Sequence, residues 1–246
     1  MVLQKKGRNV VVNRIAASAL ADLLSPRFCV QCETRLEVAE KFLCEECTGK
    51  IPVLNEEELS RICNDHFPQG EIDKMISIAE FAELSPLRIL IHSLKYFDHF
   101  ETGKYLGSLL GKLQKPLFQK LQIDMIIPVP LHKLRLVERG YNQSLEIAKG
   151  LAGVISVPVE SGTVTRFKAT HQQVASVNRH ERELNMKGAF RVDHPLRVAG
   201  KNLLVVDDVI TTGSTVRTLA DELMRSGASS VHAASILVVF SHFFGG

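Results

Sequence analysis

Four of the five cysteines stand in two close pairs, Cys29-Val-Gln-Cys32 and Cys44-Glu-Glu-Cys47, with eleven residues between the pairs. Each C-x2-C makes a tight knuckle that presents two thiolates to one ion. Two knuckles close the tetrahedral four-thiolate site that structural zinc prefers. Such a site keeps no position open for water, so its chemistry is structural rather than catalytic. A redox dithiol is the competing reading, but neither pair lies in a strand-to-helix context. The fifth cysteine, Cys63, precedes His66 in a C-x2-H spacing. That could be half of a second metal site, but no other pair completes it, and the favoured reading is an ordinary cysteine beside a surface histidine.

The segment Leu203-Leu-Val-Val-Asp-Asp-Val-Ile-Thr-Thr-Gly-Ser-Thr215 carries a different chemistry. An apolar strand runs into two adjacent carboxylates, Asp207 and Asp208. A hydroxyl-rich turn follows, with Thr211, Thr212, Gly213, Ser214 and Thr215, and then a helix opens. Ligands of open α/β sheets bind at the carboxyl ends of strands. Successive turn amides, hydroxyls and a helix N-terminus are the parts of an anion cradle, and a glycine lets the backbone approach a phosphate closely. The carboxylates have the wrong charge to hold the phosphate. They suit the cis-diol of a sugar whose phosphate lies in the cradle, with Mg²⁺ balancing the charge. The pattern therefore points to a ribose 5-phosphate. It lacks G-x-x-x-x-G-K-[ST], so a nucleotide P-loop is not supported.

These residues need elements to hold them. Strands are expected at 75–81, 125–129, 154–159, 203–206 and 230–240. Helices are expected from Ser85-Pro86 to Leu94, over 103–121 with a break near Pro116, and over 142–152 and 214–225. Largely apolar strands alternating with helices mean a mainly parallel sheet covered on both faces. Composition shifts near residue 70, where an acidic, apolar-poor stretch ends at Pro68-Gln69-Gly70. The expected division is residues 1–70, an N-terminal helix (about residues 16–24) with the cysteine module, and residues 71–246, the α/β domain.

The 246 residues carry 30 Lys and Arg against 27 Asp and Glu, a net charge of +3, with 45% hydrophobic residues. That allows a sizeable core and excludes both a disordered chain and a histone-like polycation. Charge is uneven: residues 131–191 hold ten Lys and Arg against five Glu. Such a face serves a polyanionic ligand or a single-stranded nucleic acid backbone. No apolar run approaches the roughly 18 residues of a membrane helix. Arg14 and Asp22 break the N-terminal apolar stretch that could pass for a signal peptide. The expectation is a cytoplasmic protein with no membrane insertion.

Residues 203–215 resemble the phosphoribosyl-pyrophosphate (PRPP) signature of type I phosphoribosyltransferases. Two further segments sharpen the resemblance. Ile91-His-Ser-Leu-Lys95-Tyr96 is one, and Ile126-Ile-Pro-Val-Pro130 leading to Arg139-Gly-Tyr-Asn-Gln143 is the other. With the four cysteines ahead of them, the ordered set resembles the ComF family over about residues 20–240. The resemblance implies a type I phosphoribosyltransferase fold behind a small zinc-ribbon-like module. It implies PRPP binding with Mg²⁺, with Asp207 and Asp208 as the catalytic carboxylates on the ribose diol and residues 211–215 on the 5-phosphate. Residues 129–135 would be the pyrophosphate loop, with Lys133, Arg135 and Arg139 as its cations. Tyr141-Asn142-Gln143 would fix that loop and cap the next helix. Residues 166–190, polar and basic, would form a lid. Two departures from the family pattern concern the lid and the residues after Lys95: Phe97-Asp98-His99 where a glycine is usual, and Ser176 where a leucine is frequent.

The resemblance leaves several functions open. One is a binding protein of DNA uptake, in competence and natural transformation, that meets single-stranded DNA and DNA-uptake proteins. Another is a Mg²⁺-dependent phosphoribosyltransferase with an unidentified acceptor. A third is a GntX-like housekeeping factor.

Overall fold

A computed structural model of the chain describes residues 26–94, 100–167 and 188–240. Two compact units part between Ile51 and Pro52. This division falls ahead of the 70/71 position expected from composition. The helix expected near residues 16–24 lies outside the described residues.

In the smaller unit, Phe28 and Arg35 form an antiparallel bridge, and the short helix α1 (Glu45–Gly49) opens at Cys44. The Arg27 guanidinium donates to the carbonyls of Glu37 and Glu40, while the Glu40 carboxylate accepts the amides of Glu37 and Glu45. Among its described residues the buried apolar side chains are few: Leu36, Leu43 and Ile51, beside Cys29 and Cys47.

The larger unit begins with α2 (Glu56–His66), in the acidic stretch read as apolar-poor. Asn55 and Glu58 form a capping box, each side chain bonded to the other's backbone amide. Leu59, Ile62, Cys63 and His66 then fall on one face and are all buried. Strand β1 (Met75–Glu80) and α3 (Pro86–Ser93) follow. Next come α4 (Phe100–Leu113) and α5 (Lys115–Phe118), separated ahead of Pro116 as expected. Then come β2 (Met125–Pro128), α6 (Lys133–Arg139) and α7 (Gln143–Ile155). A two-stranded antiparallel ribbon, β3 (Val164–Arg166) with β4 (Phe190–Val192), was not foreseen. The unit closes with β5 (Asn202–Ile210), α8 (Ser214–Arg225) and β6 (Ser230–Val238).

The main sheet has the order β1-β6-β5-β2, all parallel. Its two central strands are apolar runs buried along most of their length, the pattern of a sheet covered on both sides. Two expectations need correction. The strand expected over 154–159 does not form. Helix α7 runs to Ile155 and stops at Ser156 in the left-handed region, and only Val159 bridges to Ile126. Pro158, with no N–H, contributes a carbonyl to Ile126 but cannot donate to a ladder. The basic loop after β2 is instead α6. His132 caps it by accepting the Leu134 amide, and Gly140 ends it at φ 74°.

Helices α4 and α7 pack backbone to backbone. Gly103, Gly107 and Gly111 line α4 at every fourth residue, and Gly150 answers from α7. A Cβ on Gly107 would lie 1.9 Å from the Ile147 carbonyl oxygen, and one on Gly150 would lie 2.0 Å from that of Lys104. Neither neighbour can yield, because both are helix backbone. Gly107→Ala should therefore cost about 1–3 kcal/mol or more by overpacking. Exposed Gly153, with nothing within 4 Å of its would-be Cβ, is the control: Gly153→Ala should stabilise by about 0.4–1 kcal/mol. Urea denaturation reads both, and equal effects would refute this account of the glycines.

Candidate functional site

The larger unit's candidate site lies where β5 meets α8. β5 is longer than expected, so Asp207 and Asp208 sit within the strand, half-buried, rather than after its end. Asp207 Oδ1 accepts both the Ser144 hydroxyl and the Asp208 amide, each at 2.9 Å. Asp208 Oδ1 accepts the Val209 amide at 2.7 Å. Burial and then the neighbouring charge of Asp208 push the Asp207 carboxyl up to about 7. The bonds to Ser144 and the Asp208 amide and the charge of Arg166 oppose that rise without cancelling it.

The loop 211–213 joins this strand to α8. Gly213 takes φ 73°, and a Cβ there would stand 3.0 Å from the Phe67 ring. Glycine is thus required twice, by conformation and by space. Thr212 Oγ1 bonds Ser214 Oγ at 3.1 Å, and Ser214 and Thr215 start the helix, half-buried. Among the described residues no acceptor takes the amides of Thr211, Thr212 or Gly213. With the N-terminus of α8 beside them, these groups can hold an anion.

Of the three expected cations, Arg135 is half-buried and pairs loosely with Glu138 at 3.9 Å. It acts on the charge of Arg166, which Asp207 also feels. Arg166, on β3, lies over the Phe190 ring at 5.4 Å, and burial lowers the proton affinity of its guanidinium. Lys133 is exposed and Arg139 half-buried on α6. No described contact ties either to the carboxylates. Lys95, Tyr96 and residues 168–187 of the expected lid lie outside the described residues.

Tyr141-Asn142-Gln143 takes the structural role expected of it. The Tyr141 hydroxyl donates to the Leu94 carbonyl at 2.6 Å, and Gln143 Nε2 reaches the same oxygen at 3.4 Å. Asn142 caps α7 through the Ser144 amide and donates to the Val129 carbonyl. The motif thus anchors the chain just ahead of Lys95-Tyr96. Ser144, the next residue, was missed as the partner of Asp207. Its only signal was adjacency to the motif.

In the smaller unit, Cys29, Cys32, Cys44 and Cys47 converge, with all four sulfurs within 4.8 Å of one another. Cys32 and Cys44 Sγ are 3.7 Å apart, with no disulfide between them. Four thiolates at about 2.3 Å from one tetrahedral ion stand roughly 3.8 Å apart. The Cys44 amide points to Cys29 Sγ and the Cys47 amide to Cys44 Sγ, as in metal-binding knuckles. Hydrogen bonding with Thr34 pulls the Cys32 thiol down to about 6, whereas burial and the neighbouring thiols push Cys47 up. The cluster can hold a metal ion such as zinc. Cys63 and His66 join no such cluster among the described residues.

Fold and site together define a phosphoribosyltransferase-type domain behind a four-cysteine module. Residues 141–239 match the phosphoribosyl transferase domain family. Over 224 residues, 85% of this chain and 96% of the relative, the sequence is 32% identical to DNA utilization protein YhgH of Escherichia coli K12. It is 30% identical to competence protein F of Haemophilus influenzae, over 82% of this chain and 93% of that protein. Adenine phosphoribosyltransferase of Saccharomyces cerevisiae matches with a TM-score of 0.36 at 16% identity, over 65% of this chain and 76% of that one. The chain belongs to the ComF family, with these YhgH and competence F proteins as relatives. No helix among the described residues is long and apolar enough to cross a membrane.

Proposed function

We propose that the chain binds PRPP, or a related ribose 5-phosphate, with Mg²⁺, and acts in DNA uptake by meeting single-stranded DNA on its basic face. The observation that supports it best is the join of β5 to α8, where paired carboxylates for a diol stand next to open amides for a phosphate. Asp207 and Asp208 take the ribose diol, and residues 211–215 take the 5-phosphate. Lys133, Arg135 and Arg139 supply positive charge for the pyrophosphate. Mg²⁺ beside Asp207 and Asp208 would supply charge neutralisation. Zinc would be held by Cys29, Cys32, Cys44 and Cys47, where it supplies folding energy. The DNA role draws on the relatives' names and on the charge of residues 131–191.

A second reading is supported by the proximity of Arg166 to Asp207. An acceptor would attack C1 of PRPP and release its N–H proton to solvent, and the C1–oxygen bond would break with its electron pair leaving on pyrophosphate, stabilised by Lys133, Arg135, Arg139 and Arg166. Pyrophosphate release in a screen of purine, pyrimidine and amine acceptors distinguishes transfer from binding alone.

Calorimetry with PRPP, with and without Mg²⁺, tests the ligand. Fluorescence anisotropy of a labelled oligonucleotide across a salt series tests the DNA. Lys133→Ala with Arg139→Ala should weaken DNA binding and flatten the log–log salt slope by about 1.4, at roughly 0.7 per lost phosphate contact on a single strand. Heat that stays flat with PRPP refutes the ligand reading. No anisotropy change at about 50 mM salt, where electrostatic binding is strongest, refutes the DNA reading.

A further inference from the structure

The C-x2-H spacing of Cys63 and His66 serves neither the cysteine cluster nor the carboxylates. Both side chains are buried on the inner face of α2, and Cys63 Sγ points to the Ile72 carbonyl. His66 reaches much farther along the chain. Its Nε2 lies 2.7 Å from the carbonyl oxygen of Thr211, 145 residues away, and its Nδ1 lies 3.0 Å from the Ile62 carbonyl. A ring nitrogen bonds a carbonyl oxygen only by donating its proton, and the contact to Thr211 is the shorter of the two.

The contact is held from two more directions. Arg217 on α8 donates to the His66 carbonyl, where the orphan carbonyls of α2 end. The same guanidinium pairs with Glu71 at 2.7 Å and lies 5.8 Å over the Phe67 ring. That ring packs against Gly213. The C-terminal end of α2 therefore backs the loop at both Thr211 and Gly213.

A trans peptide sets its N–H opposite its C=O, and no described peptide is cis. With the Thr211 carbonyl drawn to His66, the Thr212 amide must point the other way. A donor on the carbonyl also polarises that amide and strengthens it as a donor. We infer that His66 is a positioning residue for the phosphate loop: its Nε2–H holds the 211–212 peptide so that the Thr212 amide is presented to a bound 5-phosphate. This rests on the PRPP reading above, because the loop is a phosphate site only on that reading.

Two near-isosteric variants separate orientation from simple filling of space. In His66→Gln the side-chain amide nitrogen falls near the former Nε2 and still reaches the Thr211 carbonyl. In His66→Asn it falls near Nδ1, keeps the Ile62 carbonyl and loses Thr211. Calorimetry with Mg²⁺ and PRPP should show His66→Asn about tenfold weaker than wild type, the loss of one buried hydrogen bond's orienting effect, with His66→Gln within about threefold. In ¹H–¹⁵N spectra, PRPP should shift the Thr212 amide downfield in wild type and His66→Gln, and less in His66→Asn. Circular dichroism melts confirm that each variant is folded. Wild-type protein that ignores PRPP overturns the ligand reading and this inference with it. Wild type that binds PRPP, with His66→Asn binding equally or with both variants equally weakened, overturns the role of His66 and leaves the ligand reading standing.

Discussion

Stripping zinc from the native protein with a chelator, or replacing Cys44 by serine, is expected to unfold residues 26–51. The reason is the small apolar core among the described residues of that unit. Leu36, Leu43 and Ile51 are the buried aliphatic side chains there. Burying each contributes about 1.5–3 kcal/mol, whereas fixing each residue's backbone costs roughly 1–2 kcal/mol. So few side chains cannot order a segment of that length unaided. The network around Arg27 and Glu40 joins 27, 37, 40 and 45, but every bond in it is partly or fully exposed and each contributes little net. A four-thiolate zinc site adds of order 10 kcal/mol, more than the burial of those three side chains. Native protein should hold one zinc per chain by elemental analysis. After chelation or in Cys44→Ser, hydrogen exchange over residues 26–51 should lose its protection, and the remaining thiols should react at once. Metal-free native protein, or a Cys44→Ser variant with undiminished protection in that segment, contradicts the assignment.

That cluster was legible because its chemistry is local: two pairs at knuckle spacing, eleven residues apart. The strand at 203–206 and the helix at 214–225 were legible for a related reason, an unbroken apolar run followed by a turn whose residue types allow one geometry. Helix α2 was overlooked although its signals were present. Asn55 and Glu58 spell a capping box, and Leu59, Ile62, Cys63 and His66 share a face, but three successive glutamates made the stretch look like a linker. Helix α6 begins with a histidine cap, a residue type that seldom marks a helix start, so the segment read as a loop. The expected strand at 154–159 failed because short apolar runs suit helix and strand alike, and there α7 continued. What no local pattern could disclose is pairing across the sheet. Ser144 meets Asp207 and His66 meets Thr211 only because α7 and α2 pack beside β5 and its loop.

Asp207→Asn is expected to move stability and ligand binding in opposite directions. Asparagine keeps an oxygen where Asp207 Oδ1 accepts the Ser144 hydroxyl and the Asp208 amide, so the variant removes charge and little else. In the folded wild type, burial and then Asp208 raise this carboxyl to about 7, from an ordinary value of 3.8. A carboxyl whose folded value is raised binds its proton more tightly folded than unfolded. Its ionisation therefore costs stability, and the cost grows as pH climbs from about 4 to about 7. The full penalty is on the order of 4 kcal/mol. At pH 8 the asparagine variant should melt well above wild type, and near pH 4 the two should converge. PRPP binding should do the reverse. A carboxylate that accepts hydroxyl protons from the ribose diol contributes about 1.5–3 kcal/mol, so losing it weakens binding roughly 10- to 150-fold at pH 8. The same loss of affinity should hold for Asp208→Asn. In wild type, affinity should fall below pH 7, approaching tenfold per unit, as Asp207 takes up its proton. The PRPP phosphate also titrates near 6, so Asp207→Asn serves as the reference: its pH profile keeps the ligand's part and lacks the step near 7. Melting curves and calorimetry at pH 5, 6, 7 and 8 read both signs. If the variant binds PRPP like wild type at pH 8, Asp207 does not hold the diol. If it gains no stability there, the carboxyl is not raised by its burial.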